Sequence, residues 1–169
     1  MQKVAKFLKV SYERFLHDWM DSFGDSEEVV KEIYDSIKLP RRATTGSAGY
    51  DFFTPVSIEL KPNETVKIPT GIRADMAEDW VLKLYPRSGL GFKYRLQLNN
   101  TVGIIDSDYF YSDNEGHIFA KITNDSNEGR TVELKAGEGF MQGIFIQYGI
   151  TVDDEVTEIR NGGFGSTTK

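Results

Sequence analysis

Nine short runs that favour extended backbone follow one another between residues 50 and 149: "YDFF", "VSIEL", "TVKIP", "GIRAD", "WVLKLYP", "YRLQL", "GHIFAKIT", "RTVEL" and "GFMQGIFIQYG". Gly, Pro, Asn or Asp punctuates the gaps between them. Strands this short and evenly spaced predict an all-β sandwich, jelly roll or small barrel. No internal repeat or βαβ period is visible. The chain of 169 residues fits a single domain with a real core.

The first forty residues read differently. "VAKFLKV" (4–10) predicts a strand. Tyr12, Phe15, Leu16, Trp19, Met20 and Phe23 then recur at helical spacing, and Val29, Val30, Ile33, Tyr34 and Ile37 continue it. Gly24 is placed to stop one helix and Ser26 to start the next. The spacing therefore predicts a helical hairpin over 11–37. Eight acidic side chains lie there against Arg14 and Lys31, so this segment alone carries the whole formal charge of −6. That balance argues against a helix-turn-helix DNA reader and against any double-stranded nucleic acid partner, which needs a basic face. The chain has no cysteine, which excludes disulfides, zinc–thiolate sites and a cysteine nucleophile. No run of eighteen apolar residues and no basic-then-apolar leader is present, so no membrane role is expected. The composition reads as a soluble, cytoplasmic protein.

Three stretches could carry chemistry. In "PRSGLGFK" (86–93), Arg87 offers a fork of donors, Ser88 a hydroxyl, and Gly89 and Gly91 close backbone approach to a phosphate. A polar turn would have the same composition. "NNTVGIIDSDY" (99–109) sets Asp106 and Asp108 about Ser107, on one side if the segment is extended, with Tyr109 beside them as a flat wall. Asp106 is the candidate general base. The chain ends in "RNGGFGSTTK", with Arg160 before a single ring, Phe164, set among glycines. That segment is either a plain disordered end or a lid for something flat and anionic. His17 and His117 lie far apart in sequence and are given structural roles.

Taken in order, "AGYD" (48–51), "PRSGLG" (86–91), "GIIDSDY" (103–109), "GEGFMQ" (137–142) and "GGFGST" (162–167) resemble the five motifs of the trimeric dUTPases, which cleave dUTP to dUMP and pyrophosphate. The resemblance spans residues 39–169. It implies a jelly-roll, dUTPase-like β-barrel carrying a short helical insertion, assembled as a homotrimer with active sites between subunits. It also implies that residues 159–169 fold over bound nucleotide as a lid.

The same resemblance assigns roles. Asp106 matches the carboxylate that deprotonates the attacking water. Asn100, with the backbone at Gly103 and Ile104, matches the uracil-reading hairpin. Tyr109 matches the ring under the deoxyribose, where a 2′-hydroxyl would clash. Arg87, Ser88, Gly89 and Gln142 match the triphosphate side. Mg²⁺ would bridge the phosphates, with Asp51 holding its water shell. Phe164 would stack on uracil, and Arg160, Gly165 and Ser166 would complete the lid. The tail is too long and too polar to fold back on its own body, so it is expected to cross to another copy. The hairpin holds no motif residue and is expected to be dispensable for chemistry, although its acidic surface would suit an unidentified protein partner. Two other readings share the fold: a dCTP deaminase-like enzyme, and a binding protein without catalysis.

Overall fold

The computed structural model describes residues 1–163. Strand β1 (Ala5–Lys9) leads into helices α1 (Tyr12–Ser22) and α2 (Glu27–Ser36). Short strands follow: β2 (Arg41–Arg42), β3 (Tyr50–Phe53), β4 (Ile58–Leu60), β5 (Thr65–Pro69), β6 (Ile72–Met76) and β7 (Trp80–Pro86). Helix α3 (Ser88–Tyr94), β8 (Leu96–Leu98) and β9 (Gly103–Ile105) precede a 3-10 segment at Ser107–Tyr111. Strands β10 (Phe119–Asn124), β11 (Val132–Leu134) and β12 (Gly139–Gln147) complete the body.

The pairs are antiparallel throughout. The largest sheet runs β2-β3-β12-β7-β9, and smaller sheets pair β5-β10-β8, β11-β4 and β1-β6. Inward positions alternate with outward ones, as in β10 and β4, so each strand gives one face to the core. Phe52, Ile68, Leu82, Ile118, Ile122, Phe140 and Met141 fill that core almost without exposure. Asn124 is buried at the end of β10 and binds three neighbours. Its amide donates to the carbonyls of Leu60 and Arg130, and its Oδ1 accepts from Ser126 N–H.

The helices form because their ends are capped and their apolar stripes have a partner. Ser11 accepts from Arg14 N–H and Ser26 from Val29 N–H, each satisfying a donor that the first turn leaves free. Gly24 turns the chain at φ +71°. Phe15, Trp19 and Val30 bury completely in a second apolar cluster with Val10. Ile37 and Val56 pack against both clusters and join the hairpin to the barrel.

One barrel residue sits directly beneath the hairpin. Gly71 has φ +74°, and a Cβ there would overlap Ile37 Cδ1 and press on the Phe15 ring at 3.3 Å. Gly71→Ala is expected to cost roughly 2–3 kcal/mol, from the left-handed backbone and the overpacking together. A urea titration would show this as a lower midpoint with little change in slope. An unchanged midpoint would mean that the hairpin yields freely at this point.

Candidate active site

The β8–β9 hairpin builds one wall of a cleft. Thr101, at φ +67°, makes the tight turn, with its N–H donating to Leu98 O at 2.8 Å. Strand β9 then pairs with β7, Gly103 opposite Leu84. A Cβ on Gly103 would lie 2.9 Å from the Leu84 Cβ, so only glycine lets the two strands close here. After Ile105 the backbone leaves the sheet. Asp106 takes the cap position of the 3-10 segment at φ −77°, ψ 156° without capping it, so its carboxylate is not spent on the turn's backbone.

The cleft that results holds about 310 Å³. Asn100, Gly103, Ile104, Asp106, Tyr109 and Arg160 are among its lining residues. Asp106 and Asp108 do not share an extended segment, the condition for pointing to one side, because the 3-10 turn begins between them. Arg160 nevertheless bridges both. Its Nη2 donates to Asp106 Oδ2 and its Nε to Asp108 Oδ1 at 2.8 Å. Tyr109 is 7% exposed. Its hydroxyl donates to His117 O at 2.6 Å and accepts from Asn114 Nδ2 at 2.8 Å. Burial pushes the phenol up, which keeps the donor proton in place.

The expectation that the tail is too long and too polar to fold back on its own body needs correction for its first described residues. Residues 160–163 lie against the chain's own cleft. Besides the Arg160 pairs, Ser112 Oγ donates to Gly162 O at 3.2 Å. A Cβ on Gly163 would come within 2.8 Å of the Tyr109 ring. The docking uses ion pairs and backbone groups, so the lack of aliphatic side chains does not prevent it. Phe164, Gly165 and Ser166 lie outside the described residues.

The remaining predicted residues gather elsewhere. Strand register sets Gln142 of β12 between Asp51 of β3 and Tyr85 of β7, and Arg87 follows at the end of β7. Arg87 Nε lies 3.3 Å from Asp51 Oδ1, and Gln142 Nε2 donates to Pro86 O at 3.4 Å. Gly139 makes room for Arg87: a Cβ there would be 3.0 Å from its Nη1. Ser88 and Gly89 open α3, so the segment is a short helix and not the plain polar turn that its composition also allowed. Arg87, Ser88 and Gly89 line a different depression, with Lys93, Glu133 and Glu138. Thus the chain brings Asn100, Gly103, Ile104, Asp106, Tyr109 and Arg160 together but keeps Arg87, Ser88, Gly89, Gln142 and Asp51 outside their cleft.

Sequence reasoning missed Lys121, Phe119 and Ala120 of β10, which also line the cleft. The only signal was a lone cation in "FAKIT". It also missed the partner of His117, which turns out to be Asp18.

Comparison with known proteins agrees with this architecture. The dUTPase family profile matches residues 35–168. The deoxyuridine 5′-triphosphate nucleotidohydrolase of Lactococcus lactis subsp. lactis is 41% identical over 144 residues, covering 83% of this chain and 95% of that one. The crystal structure of the dUTPase from Streptococcus mutans aligns with a TM-score of 0.59 at 41% identity, over 69% of this chain and 89% of that one. A dUTPase mutant from phage phi11 of S. aureus shares the fold at TM-score 0.62 and 19% identity, over 92% of this chain and 98% of that one. Fold and sequence together define a nucleotide-hydrolysing enzyme. The chain belongs to the dUTPase family. The profile begins close to the end of α2, so β1 and most of the hairpin precede the part it describes.

Proposed function

We propose that this dUTPase converts dUTP to dUMP and pyrophosphate by using Asp106 as the base. Asp106 takes a proton from water, the water oxygen attacks the α-phosphorus, and the bond to the pyrophosphate oxygen breaks. The observation that carries this reading is the Asp106 carboxylate at the edge of a cleft walled by Asn100, Gly103, Ile104 and Tyr109. In this reading the β8–β9 turn reads the uracil edge, and the Tyr109 ring lies beside the deoxyribose. Arg87, Ser88, the Gly89 N–H in the first turn of α3 and Gln142 take the phosphates.

Because Arg87 and its neighbours do not line the Asp106 cleft, a complete site is formed between copies of the chain in a homotrimer. Ile150, Val152, Val156 and Ile159 after β12 are all more than 70% exposed, an apolar surface for another copy to cover. Light scattering should then give three subunits.

Mg²⁺ fits the donors present in one way only. Among the described residues no group of three His, Cys, Asp or Glu gathers to hold a metal, and Asp51 is a single carboxylate beside Arg87. That suits a Mg²⁺ reaching the protein through water and substrate phosphates, with Asp51 holding a water. Bound there, the ion would neutralise phosphate charge. The phage phi11 relative is described with a structural Mg(II) ion.

The deciding experiment incubates the purified protein with dUTP, dCTP, dTTP and UTP and scores pyrophosphate and ammonia. Pyrophosphate from dUTP, far above the other three, is the expected result. Ammonia from dCTP without pyrophosphate would reject the reading.

A further inference from the structure

Asp18 and His117 belong to no motif, yet both are buried, His117 completely. Gly71 N–H donates to His117 Nε2 at 2.8 Å, so that nitrogen is the acceptor. The ring proton therefore sits on Nδ1 and points at Asp18 Oδ2, 2.6 Å away. Burial lowers the His117 ring below its usual range, and Asp18 offsets this only in part, so the ring stays neutral. Burial pushes Asp18 upward, but hydrogen bonds from His117 and His17 and the charge of Arg14 outweigh it and hold the carboxyl low.

The other end of this chain of contacts reaches the cleft. The backbone carbonyl of His117 accepts the Tyr109 hydroxyl, and Asn114, whose own carbonyl accepts from His117 N–H, donates to the same phenol. A second fastening lies alongside: Ser11 donates from N–H and Oγ to the two oxygens of Glu115, at 2.8 and 2.6 Å. The turn at 112–118 is thus held by the start and middle of α1 on one side, and holds the Tyr109 ring on the other. The expectation that the hairpin stands apart from the chemistry does not account for these bonds.

We propose that Asp18 and His117 are positioning residues for the nucleotide cleft. Through them the helical hairpin fixes the Tyr109 ring and, with it, the discrimination between deoxyribose and ribose. The inference rests on the reading of Tyr109 as the wall beside the sugar. A polar pair that only satisfied the core would affect stability and leave substrate choice unchanged.

The test measures kcat/KM for dUTP and UTP on the full-length protein. The variants are Asp18→Ala, Asp18→Asn, Tyr109→Phe, the Asp18→Ala/Tyr109→Phe double variant and Tyr109→Ala, each first checked for assembly and melting temperature. Asp18→Ala should lower the dUTP/UTP ratio about fivefold, the scale of the neutral Tyr109–His117 hydrogen bond at the end of the chain of contacts. Tyr109→Phe, which cuts the phenol from the His117 carbonyl, should do the same. The double variant should fall no further, because both changes break one chain of contacts. Asp18→Asn keeps an oxygen facing Nδ1 and should recover most of the ratio. An assembled Asp18→Ala protein with the wild-type ratio overturns the proposal, as do two effects that simply add. If Asp18→Ala fails to assemble, His117→Gln replaces it with the same outcomes. Tyr109→Ala separates the two layers of the inference. A ratio unchanged by Tyr109→Ala removes the sugar-wall reading and the coupling with it. A ratio narrowed by Tyr109→Ala but not by Asp18→Ala removes the coupling alone.

Discussion

Asp106→Asn is expected to reduce kcat on dUTP by about 10²- to 10⁴-fold, the usual cost of losing a general base, while fold and nucleotide binding survive. Asparagine matches aspartate in volume, and its carbonyl can still accept from Arg160, which now bridges Asp106 and Asp108. The backbone at 106 is ordinary extended chain and the side chain caps nothing, so the Arg160 pair is the one local contact among the described residues that loses charge, and Asp108 keeps its half of it. What disappears is a group able to take the proton of the attacking water. Pyrophosphate release gives the rate, and calorimetry with a non-hydrolysable dUTP analogue gives the affinity. Near-normal turnover in the variant would assign the base elsewhere.

Ending the chain after Glu158 is the second large effect. It removes Arg160 together with Phe164, Gly165 and Ser166. If Arg160 stabilises phosphate charge as an arginine finger does, the loss in kcat is about 10³-fold. Stability should barely change: the Arg160 partners are both about half exposed, and such pairs contribute about 0–1 kcal/mol. The geometry gives Arg160 two competing sets of acceptors. In the free chain it holds Asp106 and Asp108, and a bound polyphosphate offers it stronger ones. Arg160→Ala alone should therefore lose most of what the truncation loses, and Phe164→Ala should fall between truncation and wild type. A truncated protein that hydrolysed dUTP at the full rate would make the tail a plain end with no part in the reaction.

The legible parts of this protein are those written in short-range pattern. The hairpin could be read because apolar side chains recur every three or four residues and Ser11 and Ser26 stand at cap positions. Most strands could be read because turn residues bound them. Asp106 and Tyr109 could be read from one short stretch, and the resemblance supplied Asn100, Gly103 and Ile104, all within ten residues of one another. Helix α3 was hidden by its glycines, which favour a turn when taken alone; Arg95, in the left-handed region at φ 51°, closes it instead. The separation of Arg87 from Asp106 depends on which strand lies beside which, and no local pattern states that. Asp18 and His117 stand 99 positions apart, and each alone is an ordinary polar residue. Residues 160–163 dock through charge and backbone groups, which an argument from aliphatic content overlooks.

Gly71 has a consequence for protein engineering. Its amide is committed to His117, and the space where its side chain would stand is filled by Ile37 and Phe15. Grafting this hairpin onto the barrel of a relative would import Ile37, Phe15 and Asp18 but leave the host's own residues at the two receiving positions. Unless those were glycine and histidine, the transplant would meet a clash at one and, at the other, a carboxylate whose Oδ2 has lost its imidazole partner and keeps Arg14 and His17 on Oδ1. Excising the hairpin would expose the mirror problem, a barrel whose imidazole has lost its carboxylate partner and whose Gly71 stands over empty space, held to glycine by its backbone alone. Insert and host therefore have to be exchanged as a single cassette, with at least two barrel substitutions travelling alongside residues 11–37.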